Sequence, residues 1–182
     1  LSLSISIFLS SKASAFGLTH PGCKSKYCLD GLICFFAYEG VIKEAIHKIK
    51  YRLVTDLAGD LMKIVFKEIE KERYSKFVIM ERYVMQKRPV IVSIPLYWYK
   101  ENTRGFNQAQ LIARFISLYY KIPLNTKVLK RKKWTISQTE LSEKQRQKNV
   151  KGIFTINTNC QSLITNCLLI DDVWTTGATL KS

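Results

Sequence analysis

Apolar residues crowd together at Phe35 and Phe36 and then spread to helical spacing, with Val41, Ile42, Ala45, Ile46 and Ile49 on one face and His47 and lysines on the other. This pattern predicts an aromatic strand passing into an amphipathic helix that runs to about Arg52. The lone histidine is read as a solvated helix residue. A second helix fits residues 55–71, where Leu57, Leu61, Ile64 and Val65 stand apart from charged positions such as Glu68. Residues 77–85 continue as a further helical segment. Pro89 then precedes Val90-Ile91-Val92-Ser93-Ile94-Pro95, a β-branched run that reads as a core strand stopped by proline.

Residues 96–108 read as a loop leading into a helix whose Ala109, Ile112, Ala113 and Ile116 face the core. In that reading Arg104 stands at the helix N-terminus. A strand, a loop and a helix start with an arginine form an anion site, which makes Arg104 the candidate for a pyrophosphate group. Ile153-Phe154-Thr155-Ile156 looks like a return strand, and residues 157–166 form a polar loop before the last apolar run, Leu168-Leu169-Ile170.

That last run carries the most specific chemistry in the chain. A short apolar segment bounded by polar and glycine signals fits a buried parallel strand, and ligands of open α/β sheets gather beyond the carboxyl ends of such strands. Asp171 and Asp172 follow at the expected strand tip. Adjacent carboxylates there can accept hydrogen bonds from two vicinal sugar hydroxyls or sit close to a Mg²⁺ ion. Val173 and then Thr175, Thr176, Gly177, Ala178 and Thr179 form the loop beyond. Its glycine admits an anion close to the backbone, its threonines add donors, and a following helix start would aim free N–H groups at a phosphate. Receiver domains and haloacid-type phosphatases also place acids at strand tips, but neither follows them with this threonine and glycine loop. An N-cap role for Thr175 or Thr176 is the bland alternative.

Composition adds a direction. The 182 residues suffice for one domain with a real core, and 47% hydrophobic residues is an ordinary globular share. Against 14 acidic residues stand 29 Lys and Arg, a formal charge of +15, which favours polyanionic partners: nucleic acid, phosphorylated substrates or an anionic membrane surface. The excess concentrates in residues 121–151. There Lys130, Arg131, Lys132 and Lys133 precede Trp134, a combination suited to a phosphate-covering flap or to a single-stranded nucleic-acid track with Trp134 as stacking platform. A solvated face is the alternative. The five cysteines, at 23, 28, 34, 160 and 167, form no even disulfide framework, which suits a reducing cytoplasm. Cys167 reads as a small core residue. Residues 1–10 are apolar and serine-rich but too short to span a bilayer, and read as a ragged N-terminus.

Residue by residue, the stretch from Asp171 to Thr179 resembles the phosphoribosyl pyrophosphate loop of type I phosphoribosyltransferases. Taken with Arg104-Gly105-Phe106-Asn107-Gln108, then Lys130-Arg131, Thr135, Gln138, Leu141, Arg146, Asn149-Val150 and Gly152-Ile153-Phe154, the chain is similar to the ComF family of competence-associated proteins. Asp30-Gly31-Leu32, Tyr38-Glu39-Gly40 and Ile49-Lys50-Tyr51 match the stretch that precedes the family's phosphoribosyltransferase-like domain, so the resemblance runs from about Gly17 to the last residue.

The resemblance implies an α/β fold of the type I phosphoribosyltransferase kind, a parallel sheet flanked by helices, with a small N-terminal subdomain. It divides the chain into 1–34, carrying the remnant of a cysteine-cluster region, and 35–182, a phosphoribosyltransferase-like domain cut short at its C-terminal end. It implies binding of phosphoribosyl pyrophosphate with Mg²⁺ near Asp171 and Asp172, and a cytoplasmic role in DNA uptake alongside single-stranded DNA and DNA-uptake proteins. An active phosphoribosyltransferase of nucleotide metabolism is the runner-up, and a single-stranded DNA-binding module without catalysis the third reading. Family members commonly carry a zinc-binding cysteine cluster. Here Cys23, Cys28 and Cys34, with His20 nearby, include no Cys-x-x-Cys pair, so no filled zinc site is expected.

Overall fold

The computed structural model describes residues 4–10, 17–18, 31–52, 54–71, 78–133, 152–161 and 166–174. Strands β1 (Ser4–Ser10), β2 (Gly17–Leu18) and β3 (Gly31–Ala37) come first, followed by helices α1 (Gly40–Arg52), α2 (Asp56–Lys71) and α3 (Val78–Lys87). Strand β4 (Val90–Ser93) leads to α4 (Trp98–Arg104) and α5 (Gln108–Tyr120), then β5 (Leu129–Arg131), β6 (Phe154–Ile156), the short helix α6 (Thr158–Gln161) and β7 (Cys167–Trp174). The molecule is therefore α/β. Five strands form one sheet in the order β2-β3-β1-β7-β4, in which β3, β1, β7 and β4 run parallel and only β2 is antiparallel. Strands β5 and β6 pair as a separate antiparallel hairpin.

The β-branched run at Val90 folds as expected. Ile91 and Val92 are buried, and β4 pairs in register with β7 from Val90 opposite Cys167 to Ser93 opposite Ile170. Leu168 and Ile170 are fully enclosed with Ile91. Each such side chain taken from water contributes about 2 kcal/mol, and β4, the last strand in the sheet order, makes an isolated parallel bridge from Ile91 to Leu124. Helix α5 lies against β7 and β4, and α2 packs on α5. Ala113 and Ile116 of α5, Met62, Val65 and Ile69 of α2 and Val84 of α3 complete the core. The two helices approach closely at Gly59, where an added Cβ would stand 3.3 Å from Phe115 Cζ. Nearby, the Phe66 and Tyr119 rings stack at 4.1 Å.

Several sequence expectations shift in detail. Residues 4–10, read as part of a ragged terminus, pair on one side with β3 and on the other with β7. Val41 and Ile64, assigned to apolar helix faces, are 80% and 51% exposed. The buried positions are Ile46 and Ile49 in α1 and Ala58, Met62, Val65 and Ile69 in α2, because each helix is covered along a stripe narrower than its apolar arc. Part of the polar segment 157–166 closes into a helical turn, α6, with the Asn157 side chain accepting from the Asn159 N–H. Among the described residues, no helix is long and apolar enough to cross a membrane.

Candidate functional site

The acid pair sits on β7, not past its end. Opposite β1, Ile170 pairs with Ile7 and Val173 with Leu9, so Asp171 and Asp172 together stand across from the single residue Phe8. That is a β-bulge, an extra residue that bends a strand and re-aims its side chains. Along the other edge the ladder with β4 stops at Ile170, where the Ile94 N–H donates to the Ile170 carbonyl at 2.8 Å. Both acids thus lie at the carboxyl end of the parallel pair β4–β7, the edge at which open α/β sheets hold ligands.

Each carboxylate has its own partner. Asp171 Oδ1 accepts from the Asp172 backbone N–H at 2.9 Å, and Asp172 Oδ2 meets Lys50 Nζ at 2.7 Å. Lys50 comes from the last turn of α1, where a cation is favoured by the helix dipole. The ion pair is mostly enclosed, the two side chains being 19% and 17% exposed. Burial by itself would lower the Lys50 pKa. The carboxylate of Asp172 more than reverses this, with smaller help from Tyr38 and Asp171, and the net shift is upward. Asp171 behaves differently: burial first, then repulsion from Asp172, pushes its carboxyl up to about 7, against the opposing pull of the backbone N–H, Lys50 and Arg131. Arg131 reaches this field from β5 of the hairpin. Its own pKa is lowered by burial, an effect that Asp171 opposes.

Beside the two acids lies a small cavity of about 30 Å³, walled otherwise by apolar side chains including Phe35, Phe36, Ile49 and Ile112. That is room for a water molecule or two and no larger ligand.

The predicted anion residue Arg104 stands elsewhere than expected. Residues 98–104 are helical, so Arg104 closes α4 and does not open α5. The reason is local: Gly105 adopts φ 73°, the left-handed conformation that ends a helix, and its N–H returns to the Glu101 carbonyl at 2.8 Å. Asn107 then caps α5, accepting from the Ala109 N–H at 3.0 Å while its buried amide donates to the Ile94 carbonyl at 2.9 Å. An arginine in a last helical turn complements the dipole, whereas one in a first turn would oppose it. Arg104 donates to Gln108 Oε1 at 3.4 Å and lies 5.1 Å above the Tyr51 ring. Tyr51 is the neighbour of Lys50, so α1 borders both the acid pair and Arg104. The buried Gln108 Nε2 has no hydrogen-bond partner among the described residues.

Of the basic group proposed for nucleic acid, Lys130, Lys132 and Lys133 are exposed, while Arg131 turns inward, with its guanidinium 5.7 Å from the Phe154 ring. Within β5 strand alternation sets Lys130 outward and Arg131 inward, and Lys132 and Lys133 follow past the strand end. Trp134, Thr175, Thr176, Gly177, Ala178 and Thr179 lie outside the described residues, as do Cys23 and Cys28. Cys34 is buried in β3. Among the described residues no three His, Cys, Asp or Glu side chains cluster as metal ligands. The residue that sequence reasoning passed over is Lys50. It was visible only as part of the Ile49-Lys50-Tyr51 match, a buried-side position for a charge at the end of an amphipathic helix.

Comparison with known proteins follows the same lines. A 92-residue stretch, half of the chain, is 37% identical to Competence protein F of Haemophilus influenzae and covers 40% of that protein. The DNA utilization protein YhgH of Salmonella typhimurium is 26% identical over 88% of the chain and 70% of its own length. Competence protein ComFC of Bacillus subtilis is 31% identical over 80% of the chain, and the match spans 52% of it. The chain thus spans about half the length of two of these three relatives. No family model matches, and no solved structure gives a significant match. By these likenesses the chain is similar to the competence and DNA utilization proteins of the ComF type.

Proposed function

We propose that this protein binds phosphoribosyl pyrophosphate, or a closely related sugar phosphate, through a type I phosphoribosyltransferase-like site, and that it acts in the uptake and use of DNA. The observation that carries the first half is the bulged Asp171-Asp172 pair at the carboxyl end of a buried parallel strand, with Lys50 and Arg131 converging on it. The names of the relatives, two competence proteins and a DNA utilization protein, support the second half.

In this reading the two carboxylates accept hydrogen bonds from the ribose hydroxyls. Residues 175–179 hold the 5′-phosphate on backbone N–H groups and threonine hydroxyls, and Arg104 faces the pyrophosphate. The donor set also suits Mg²⁺, a hard cation that takes carboxylate and phosphate oxygens. Since Lys50 already holds Asp172 Oδ2, the ion would arrive with the pyrophosphate and supply charge neutralisation there. Transfer of the phosphoribosyl group to a nucleobase or amine is a further step of the same reading, tested by pyrophosphate release across a panel of acceptors.

Calorimetric titration with phosphoribosyl pyrophosphate and Mg²⁺ tests the pocket. Wild type is expected to bind, and Asp172→Asn to bind at least about tenfold more weakly, the loss of one charge-assisted hydrogen bond. No heat from wild type, or equal heat from both, overturns the reading.

A further inference from the structure

We propose that Lys50 is a specificity-determining residue, whose contact with Asp172 makes the acid pair an acceptor for sugar hydroxyls and denies it to free divalent cations. The inference rests on the sugar-phosphate reading for its ligand and on the ion pair for its logic.

Two neighbouring carboxylates at a strand end are, without further charge, a natural seat for a divalent metal, which gathers anionic oxygens. Here the seat is already balanced. Lys50 Nζ touches Asp172 Oδ2 at 2.7 Å within a mostly enclosed contact, and Arg131 adds its field at Asp171. Two cations face the two acids, so the group carries no net negative charge whether or not Asp171 is ionised. A bare divalent ion entering this group meets no net attraction and two like charges, one of them at contact distance from a carboxylate it needs. A neutral diol meets no such opposition, and its hydroxyls can donate to carboxylate oxygens that Lys50 leaves open. Mg²⁺ bound to pyrophosphate enters with its charge already offset, so the same arrangement admits the loaded ligand.

The lysine is supplied by α1, far in sequence from β7. Its position is fixed by packing: Ile46 and Ile49, on the same helix, are buried against Ala58 of α2, with Phe36 and Val173 around them. The last turn of α1 is therefore anchored where the Lys50 side chain reaches Asp172.

The test uses Mn²⁺ alone as probe, read by the electron paramagnetic resonance of the free ion. Wild type is expected to show no binding in the submillimolar range. Lys50→Met, and the better-solvated Lys50→Gln in case the first does not fold, are expected to bind Mn²⁺ at least about tenfold more tightly than wild type, by removal of one unit charge a few ångströms away. Adding Asp172→Asn to either variant should abolish the gain, which places the ion at the acid pair. Submillimolar Mn²⁺ binding by wild type that Asp172→Asn removes, or no gain in the folded variant, overturns the proposal. Phosphoribosyl pyrophosphate binding is measured in parallel on wild type. If that fails while the Mn²⁺ gain appears, the sugar-phosphate reading falls and the charge-balancing role of Lys50 stands.

Discussion

At the scale of single residues, the acid pair shows how one dipeptide can hold two unlike carboxyls. Asp172 has a lysine; Asp171 has a backbone N–H, a burden of burial and a charged neighbour, and its pKa rises to about 7 from the ordinary 3.8. The sign of the consequence is fixed. Below pH 4 the carboxyl is protonated in both folded and unfolded chains and contributes nothing to pH dependence. Between about pH 4 and 7 the unfolded chain has released the proton that the folded chain retains, so stability falls as pH rises through that window and levels off above it. Asp171→Asn should remove this slope. Urea denaturation at pH 4.5, 6 and 7.5 checks it: the wild-type midpoint should fall relative to that of the variant as pH rises, and parallel curves would refute the assignment. The two acids were legible in sequence because adjacent charges at the end of an apolar run are rare without purpose. Lys50 was not, since nothing in a helix's periodicity tells which of several lysines turns toward a strand some 120 residues further on.

Among the elements, the segment between β4 and α5 separates what local pattern reveals from what it hides. The apolar positions of α5 were plain, and Ala109, Ala113 and Ile116 are buried as expected. The boundary was not. Residues 98–104 have no apolar stripe and no buried residue, so α4 leaves no periodic trace, and it is the left-handed Gly105 followed by the Asn107 cap that sets where one helix stops and the next begins. Asn107 is thereby the hinge pin of the segment: one side chain caps α5 and ties it to the carbonyl of Ile94, just past the end of β4. Asn107→Ala removes a cap and leaves a buried carbonyl without its donor, at a cost of about 1–3 kcal/mol. Chemical denaturation should show that loss, and Asn107→Ser, which keeps a capping oxygen but not the amide donor, should fall between wild type and the alanine variant. A loss under 0.5 kcal/mol for the alanine variant, the size of an ordinary surface change, would show that the cap is not needed.

Across the whole molecule, the sheet order could not be read from the chain at all: strand type follows from local residues, but which strands become neighbours depends on packing over long separations, and β1 and β7 meet from opposite ends of the sequence. Charge is the global property that was legible. The chain carries a +15 excess, and on the hairpin the charge is sorted: Arg131 points inward and Lys130, Lys132 and Lys133 outward. If the outward row tracks a nucleic-acid backbone, each contacted phosphate releases condensed counterions, and the logarithm of affinity falls with the logarithm of salt by roughly 0.7 per contact on a single strand. Changing all three lysines to glutamine should then flatten the slope for a single-stranded oligonucleotide by about 2, with little effect on folding because the positions are exposed. Arg131→Gln, by contrast, should leave the slope nearly unchanged while weakening phosphoribosyl pyrophosphate binding, because its field is spent on Asp171. Fluorescence anisotropy between 50 and 200 mM salt measures the first effect and calorimetry the second. A triple variant with the wild-type slope would assign the excess charge to another face of the molecule, and equal slope losses from Arg131→Gln and the triple variant would deny the division between an inner and an outer row.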